Sequence, residues 1–143
     1  LPWRAVLIDA PQRNALADRF EAFARAVGKP DDEVAGERER AYNGPVLVAW
    51  IVRLTDEVPE VPRHEQWMSA GGALTNFLTA LHLTGFGAKT LAGRKCTHPS
   101  VRDAFCEEGE QLAAFICIGT PTRAPQPRDV DDTGAALSRW NEA

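Results

Sequence analysis

The sequence has few cysteines and no long apolar run, and each of these absences excludes a class of protein. Three cysteines (Cys96, Cys106 and Cys117) are an odd number in a chain with enough apolar residues to form a core, which argues against a disulfide scaffold and favours a reducing compartment. The longest apolar run covers residues 45–52, far below the roughly 18 residues of a membrane-spanning helix. The first residues do not form a signal peptide. We therefore expect a cytoplasmic protein that does not span a membrane.

The sequence also has no excess of basic residues. Its 16 Lys and Arg against 20 Asp and Glu give a formal net charge of −4, and no clustered basic stripe is present to neutralise a nucleic-acid backbone. With 143 residues, 44% of them hydrophobic, the chain is long enough for one domain with its own core. We predict a single domain over residues 1–143. Because the chain begins with Leu1 and enters a strand-like run at once, we expect this domain to be N-terminally incomplete.

Hydrophobic periodicity predicts strands and helices in irregular alternation. The predicted strands cover residues 3–8, 46–54 and 111–118, and the second, VLVAWIVRL, is apolar enough to be buried on both faces. The predicted helices cover residues 12–27, 29–42, 64–83 and 99–106. Residues 120–128 read as an extended tail, and residues 132–140 as a helical turn or a terminal arm. This order favours an α/β or α+β fold.

No motif for a nucleotide, a metal or an activated nucleophile is present. Gly85-Phe86-Gly87 follows a helix rather than a strand and lacks the third glycine of a dinucleotide fingerprint. His64, His82 and His98 are far apart, no two cysteines have metal-ligand spacing, and no serine has the glycine frame of a nucleophile elbow. An enzyme with this sequence would therefore take its chemistry from a cofactor.

The helix predicted at residues 64–83 contains a patch without large side chains, Ser69-Ala70-Gly71-Gly72-Ala73. Each glycine in a helix interior costs about 1 kcal/mol against alanine. Close approach of another backbone or a flat ligand would explain the pair of glycines, and so would an ordinary contact within the chain. Both interpretations stay open at this point.

Several motifs, in order along almost the whole chain, resemble the short, single-domain branch of the flavin-dependent nitroreductase family. They are Pro2-Trp3-Arg4-Ala5-Val6, Glu65-Gln66-Trp67-Met68-Ser69-Ala70-Gly71, Thr75-Asn76-Phe77-Leu78, Gly85-Phe86-Gly87-Ala88, Ala92-Gly93 and Ile118-Gly119-Thr120-Pro121. The resemblance implies an α+β fold, a three-layer α-β-α sandwich with a mostly antiparallel central sheet, in an obligate homodimer with one FMN per subunit at the interface. It also implies an enzyme that passes a hydride from NAD(P)H through flavin N5 to a nitroaromatic, a quinone or a similar small-molecule acceptor.

The resemblance also implies candidate cofactor-binding residues. The loop Thr90-Leu91-Ala92-Gly93 matches the family's segment whose backbone faces flavin N5 and O4. Arg40 matches a basic position near the pyrimidine edge of the flavin, and Ser69 a position that reaches the flavin from the partner subunit. From the residues alone, Arg40 can equally be a solvated charge on an exposed helix, and Ser69 a small residue chosen for packing.

Two features depart from the family's pattern. The resemblance implies that the helix that grips the FMN phosphate should precede Leu1, and we expect it to be absent from this chain; Thr90-Leu91 stands where short relatives often carry Trp-Arg. Losing two charge-assisted contacts of about 1.5–3 kcal/mol each would weaken FMN binding by roughly two to four decades. Arg123 or Arg128 in the tail is a candidate replacement, with a solvated arginine as the alternative for each.

Three interpretations of the function follow. The first is an FMN-dependent oxidoreductase, the second a degenerate or apo family member acting as a binding module without turnover, and the third an interaction domain unrelated to flavins. We expect none of the cysteines to be catalytic. Cys117 lies in a strand predicted to be buried, where an apolar setting raises the pKa of a thiol, and Cys96 and Cys106 have no electropositive partner arrangement.

Overall fold

The computed structural model describes residues 1–123 and 136–140 and is built around a sheet of four strands. The strands are β1 (Trp3–Ile8), β2 (Val46–Arg53), β3 (Gly87–Leu91) and β4 (Glu110–Gly119). Their order across the sheet is β1-β2-β4-β3, and every neighbouring pair is antiparallel. The predicted antiparallel sheet is therefore confirmed.

The two central strands are the most apolar segments of the chain. Residues 47–52 of β2 are all buried, as are most positions of β4. A strand with neighbours on both edges and helices on both faces exposes almost no side chain to water, so it needs no polar face. The apolar run predicted at residues 46–54 thus identified the centre of the sheet.

Five α-helices lie within the described residues: α1 (Arg13–Ala26), α2 (Asp31–Glu39), α3 (Arg63–Leu83), α4 (Arg94–Thr97) and α5 (Pro99–Arg102). On one face of the sheet, α1, α4 and α5 share a core in which Phe115 of β4 meets Phe20 of α1 edge-on at 5.3 Å between ring centroids. On the other face, α3 covers Trp50 of β2, which stacks on Trp3 at 4.5 Å and on Phe77 at 5.9 Å. The α+β, three-layer α-β-α prediction is confirmed.

Two predicted helices differ from the structure, and one strand was not predicted. The helix predicted at residues 29–42 is α2 followed by a 3₁₀ turn, Arg40–Tyr42, because the chain turns there to bury Ala41, whose carbonyl accepts a hydrogen bond from Arg13 Nη1 at 2.9 Å. The helix predicted at residues 99–106 ends at Arg102 and continues as turns. The sequence analysis missed β3, whose five residues acquire their extended form by pairing with β4.

The tails predicted at residues 120–128 and 132–140 lie largely outside the described residues. Among the described helices, none is both long and apolar enough to cross a membrane.

Candidate functional site

The segment matched to the flavin-facing loop begins inside the sheet. Thr90 and Leu91 belong to β3 and lie opposite Ile116 and Phe115 of β4, so the prediction that they form a loop is wrong. The chain leaves the sheet at Ala92 and Gly93 and enters α4 directly afterwards. The turn at Gly93 is therefore held between a strand on one side and a helix on the other.

Gly93 has a backbone conformation that favours glycine. Its φ is +115°, and no described atom lies within 4 Å of the place where a Cβ would stand. Its carbonyl accepts a hydrogen bond from the backbone N–H of Cys96 at 2.9 Å, which fixes the turn to the start of α4. A side chain at this position would be strained by the backbone and would fill the open space beside it.

Gly93 also lines a cavity of about 660 Å³ at the edge of the sheet. Its lining includes Trp67 of α3, Gly93, Arg94 and Cys96 at the start of α4, Arg102 of α5, and Leu112 of β4. The volume falls within the range of about 300–1,000 Å³ usual for small-molecule sites. A backbone without a Cβ, apolar and aromatic walls and two arginines fit a planar ligand that carries negative charge, which is the chemistry of FMN.

A carboxylate in the same lining, Glu110 of β4, is already neutralised. Arg4 Nε donates to its Oε1 at 2.8 Å, and the backbone N–H of Glu107 donates to its Oε2 at 2.9 Å. The hydrogen bond from Arg4 holds the pKa of Glu110 at about 2, although burial opposes ionisation. Arg4 thus compensates the charge of Glu110, while Arg102 of the same lining is paired with Asp103, whose Oδ1 accepts from Arg102 Nε at 2.8 Å.

Arg40 lies in the 3₁₀ turn after α2 and is about half exposed, at 52% of its side-chain surface. Its Nη1 donates to Oε1 of Glu37 at 2.6 Å, so it is neither a solvated charge alone nor part of the cavity wall described above. Glu37 also accepts from Lys29 Nζ at 3.0 Å and from Lys95 Nζ at 3.2 Å. Burial disfavours ionisation of Glu37, but the hydrogen bond from Lys29 and the charge of Lys95 outweigh it, so its pKa lies below the ordinary value.

Ser69 is exposed on α3 and lines a different cavity, also of about 660 Å³. The loop over that cavity is fixed by Gln66, whose Nε2 donates to the carbonyls of Thr55 at 2.7 Å and Val61 at 2.9 Å. Within one chain the structure therefore does not bring Ser69 to the cavity beside Gly93. Arg128 lies outside the described residues, and Arg123 is exposed.

The two glycines of the small-residue patch face open space, whereas Ala70 of the same patch is buried at 1% exposure. Apart from the backbone of α3 itself, no described atom lies within 4 Å of a Cβ built on Gly71 or Gly72, and both residues are exposed. An ordinary contact inside the described part of the chain therefore does not explain these two glycines. A surface outside it, or a ligand, remains as the explanation.

The cysteines are shielded from reaction to different degrees. Cys96 is 2% exposed, and burial raises the pKa of its thiol to about 11. Burial also raises the pKa of Cys106 and Cys117. The prediction that Cys117 is buried is wrong in degree: it is partly exposed, because it lies opposite Lys89 on the edge strand β3.

In the part of the chain that the structure describes, no three His, Cys, Asp or Glu residues form a group that could hold a metal ion.

Comparison with known proteins gives matches over most of the chain. The model of the nitroreductase family matches residues 1–120. "Putative NAD(P)H nitroreductase YdjA" of Escherichia coli K12 is 32% identical over 121 residues, which are 84% of this chain and 66% of that protein. "Putative NAD(P)H nitroreductase" of Haemophilus influenzae is 22% identical over 120 residues, 83% of this chain and 65% of that protein. The chain thus spans slightly less than two thirds of the length of these curated relatives.

Solved structures share the fold at low sequence identity. The nitroreductase-like family protein from Bacillus cereus has a TM-score of 0.75 at 15% identity, over 99% of this chain and 74% of that one. The FMN and NADPH-dependent nitroreductase NfnB from Sphigopyxis sp. strain HMH has a TM-score of 0.64 at 15% identity, over 99% of this chain and 81% of that one. At such identities the likeness concerns the arrangement of strands and helices.

Proposed function

This chain belongs to the nitroreductase family, and from that premise we propose that it is an FMN-dependent oxidoreductase that uses NAD(P)H to reduce a nitroaromatic, a quinone or a similar acceptor. One observation carries the proposal. The segment that the family resemblance assigns to the flavin ends at Gly93, and Gly93 opens onto a cavity of suitable volume with a conformation that leaves its Cβ position empty.

We assign different roles to the residues around Gly93. The backbone of Thr90, Leu91, Ala92 and Gly93 would face the flavin ring, which accepts and releases a hydride at N5 when it is bound. Arg94 and Arg102 would stabilise negative charge on the ring or on an acceptor. Trp67 and Leu112 would exclude water from the same space. Arg40, which lies outside the lining of this cavity, would contact a pyrimidine edge that extends beyond the cavity, while its guanidinium stays paired with Glu37.

A second copy of the chain is the proposed partner. The exposed side of α3 carries Met68 and Leu83, at 72% and 79% exposure, beside the open positions of Gly71 and Gly72. Exposed Met and Leu side chains and room for a close backbone suit a two-fold contact between identical helices. In such a dimer Ser69, which lies away from the Gly93 cavity of its own chain, would reach the flavin of the partner subunit.

The test compares two glycines that both have a positive φ. Gly93 and Gly28 have φ values of +115° and +74°, and neither has a described atom within 4 Å of its Cβ position. Gly93→Val and Gly28→Val therefore both introduce strain, of order 1–3 kcal/mol, but only Gly93→Val enters the cavity. FMN affinity, measured by quenching of flavin fluorescence, should fall sharply in Gly93→Val and stay near that of the unmodified chain in Gly28→Val. Leu91→Ala, which leaves the backbone unchanged, should have a small effect.

When NAD(P)H is added to the FMN-bound protein, the flavin absorbance should fall as the flavin is reduced. An added quinone should reoxidise the flavin and restore the absorbance. Flavin that binds but is never reduced would favour the alternative of a binding module without turnover. Equal FMN affinity in Gly93→Val and the unmodified chain would show that this turn does not hold the cofactor.

A further inference from the structure

One buried carboxylate connects the two segments assigned to the flavin. Glu37 of α2 is 3% exposed, and its two oxygens accept from different parts of the chain. Arg40, the residue assigned to the pyrimidine edge, donates to Oε1 at 2.6 Å. Lys95, which follows the Gly93 turn, donates to Oε2 at 3.2 Å. Arg40 and the Gly93 turn are therefore held to the same side chain, although they are far apart in sequence.

Lys95 is buried to a degree that is unusual for lysine. It is 6% exposed, its Nζ lies 4.4 Å from the centroid of the Phe20 ring, and its one ion pair within the described residues is with Glu37. The free energy lost by removing two charges from water is about as large as the free energy gained from their attraction. Apolar residues of similar volume in place of Glu37 and Lys95 would therefore give a chain of about equal stability. Stability alone therefore does not explain the pair, whereas a requirement for a defined position does.

The Gly93 turn needs an anchor of this kind. The helix that follows it, α4, has four residues, too few to hold its own geometry. Lys95 is the second residue of that helix, and the hydrogen bond from Cys96 N–H to the Gly93 carbonyl lies in the same turn. A shift of the lysine away from α2 would therefore move Gly93.

We propose that Glu37 and Lys95 are positioning residues that fix the Gly93 turn relative to Arg40 so that both meet the flavin in one geometry. This inference rests on the proposed function, because it takes the cavity beside Gly93 as the flavin site. Neither residue touches the ligand, and both act through the segments that they hold.

The same carboxylate supplies a matched control. Lys29 donates to Oε1 of Glu37 at 3.0 Å, but it lies between α1 and α2 and is connected to neither flavin segment. Lys95→Met and Lys29→Met each remove one of the three cations around Glu37 and leave two. Both variants should therefore remain folded. Glu37→Gln, which keeps the shape of the side chain but loses its charge, is a further variant expected to reproduce the effect of Lys95→Met.

Two measurements are needed, FMN affinity by fluorescence titration and amide hydrogen exchange at residues 92–96 without FMN. We expect Lys95→Met to weaken FMN binding about tenfold and to speed exchange at residues 92–96 about tenfold, because a site held loosely loses its geometry. Lys29→Met should change neither readout. Equal responses of the two lysine variants in both measurements would overturn the proposal. If the unmodified chain binds no FMN, the proposed function fails, and exchange alone then decides whether Lys95 holds the turn.

Discussion

The two faces of the sheet differ in how completely one chain covers them. On the face of α1, α4 and α5, Phe20, Phe115 and Ile51 are each at most 2% exposed. On the face of α3, the 21-residue helix buries only Gln66 and Ala70, and it leaves Met68 and Leu83 largely in solvent. The core on the first face is therefore fully covered by helices of the same chain. On the second face the outer surface of α3 is not covered by the described part of the chain, as the proposed dimer requires.

The largest difference between the two faces should appear in how much a substitution lowers the free energy of unfolding. Phe115→Ala removes a ring that is 1% exposed and contacts Phe20 and Phe105 edge-on, so it should lower the free energy of unfolding by about 3–5 kcal/mol. Leu83→Ala, on the exposed side of α3, should lower it by less than about 0.5 kcal/mol. Urea denaturation of both variants measures the difference. A loss of similar size in both would mean that the two faces are equally packed.

The pH dependence of stability should come in part from the covered side of the molecule. The pKa of Glu110 is about 2 in the folded chain against 4.5 as the reference, so its stabilising contribution is complete above about pH 4.5 and is lost as the pH falls toward 2. Glu110→Gln should cost about 1–3 kcal/mol at pH 7 and should flatten stability against pH in this window. Unfolding followed at several pH values between 2 and 7 provides the test. A variant with the same acid sensitivity as the unmodified chain would exclude Glu110 as its source.

Replacing two helical glycines, Gly72 and Gly36, tests whether the exposed side of α3 takes part in the dimer contact. Gly72 on α3 and Gly36 on α2 both lack any described atom within 4 Å of a Cβ position. Replacing either by leucine should leave the stability of a single chain unchanged or slightly raised, since glycine costs about 1 kcal/mol in a helix. Only Gly72→Leu should weaken the dimer, by about 1–3 kcal/mol through overpacking. Dissociation constants from dilution experiments compare them, and equal constants would contradict an interface at Gly72.

Replacing the cysteines is expected to have the smallest effect on activity. At pH 8 the thiol of Cys96, with a pKa of about 11, should react with a disulfide reagent far more slowly than the partly exposed Cys106 and Cys117. A folded variant with all three cysteines replaced by alanine should keep the proposed reductase activity. Loss of activity with flavin still bound would show that one thiol takes part in the reaction.

The strength of the local pattern decided which parts of the fold could be predicted from sequence. The strands at the sheet centre were predicted because β2 and β4 are apolar enough for both of their faces to be buried. The edge strand β3, GAKTL, has no such pattern and becomes extended only because β4 lies beside it. β3 could not be predicted from the sequence because its extended conformation depends on pairing with β4, a tertiary contact that is not visible in a short stretch of sequence.

The candidate site stays a prediction, and the sequence alone led to only part of it. The family resemblance led to Gly93, and the structure supplied the positive φ and the cavity that give this glycine a physical reason. The ion pair of Glu37 with Lys95 joins residues 58 positions apart, so no spacing rule could have found it. A lysine next to a turn glycine is unremarkable in sequence, and its burial is visible only in the folded chain.

Sedimentation velocity at micromolar concentration tests the difference between the two faces most directly. If the exposed side of α3 is covered by a second copy, the chain should sediment as a species of twice its 15.6 kDa mass. A stable species of 15.6 kDa at that concentration would contradict this account, because the apolar side of α3 would then remain uncovered.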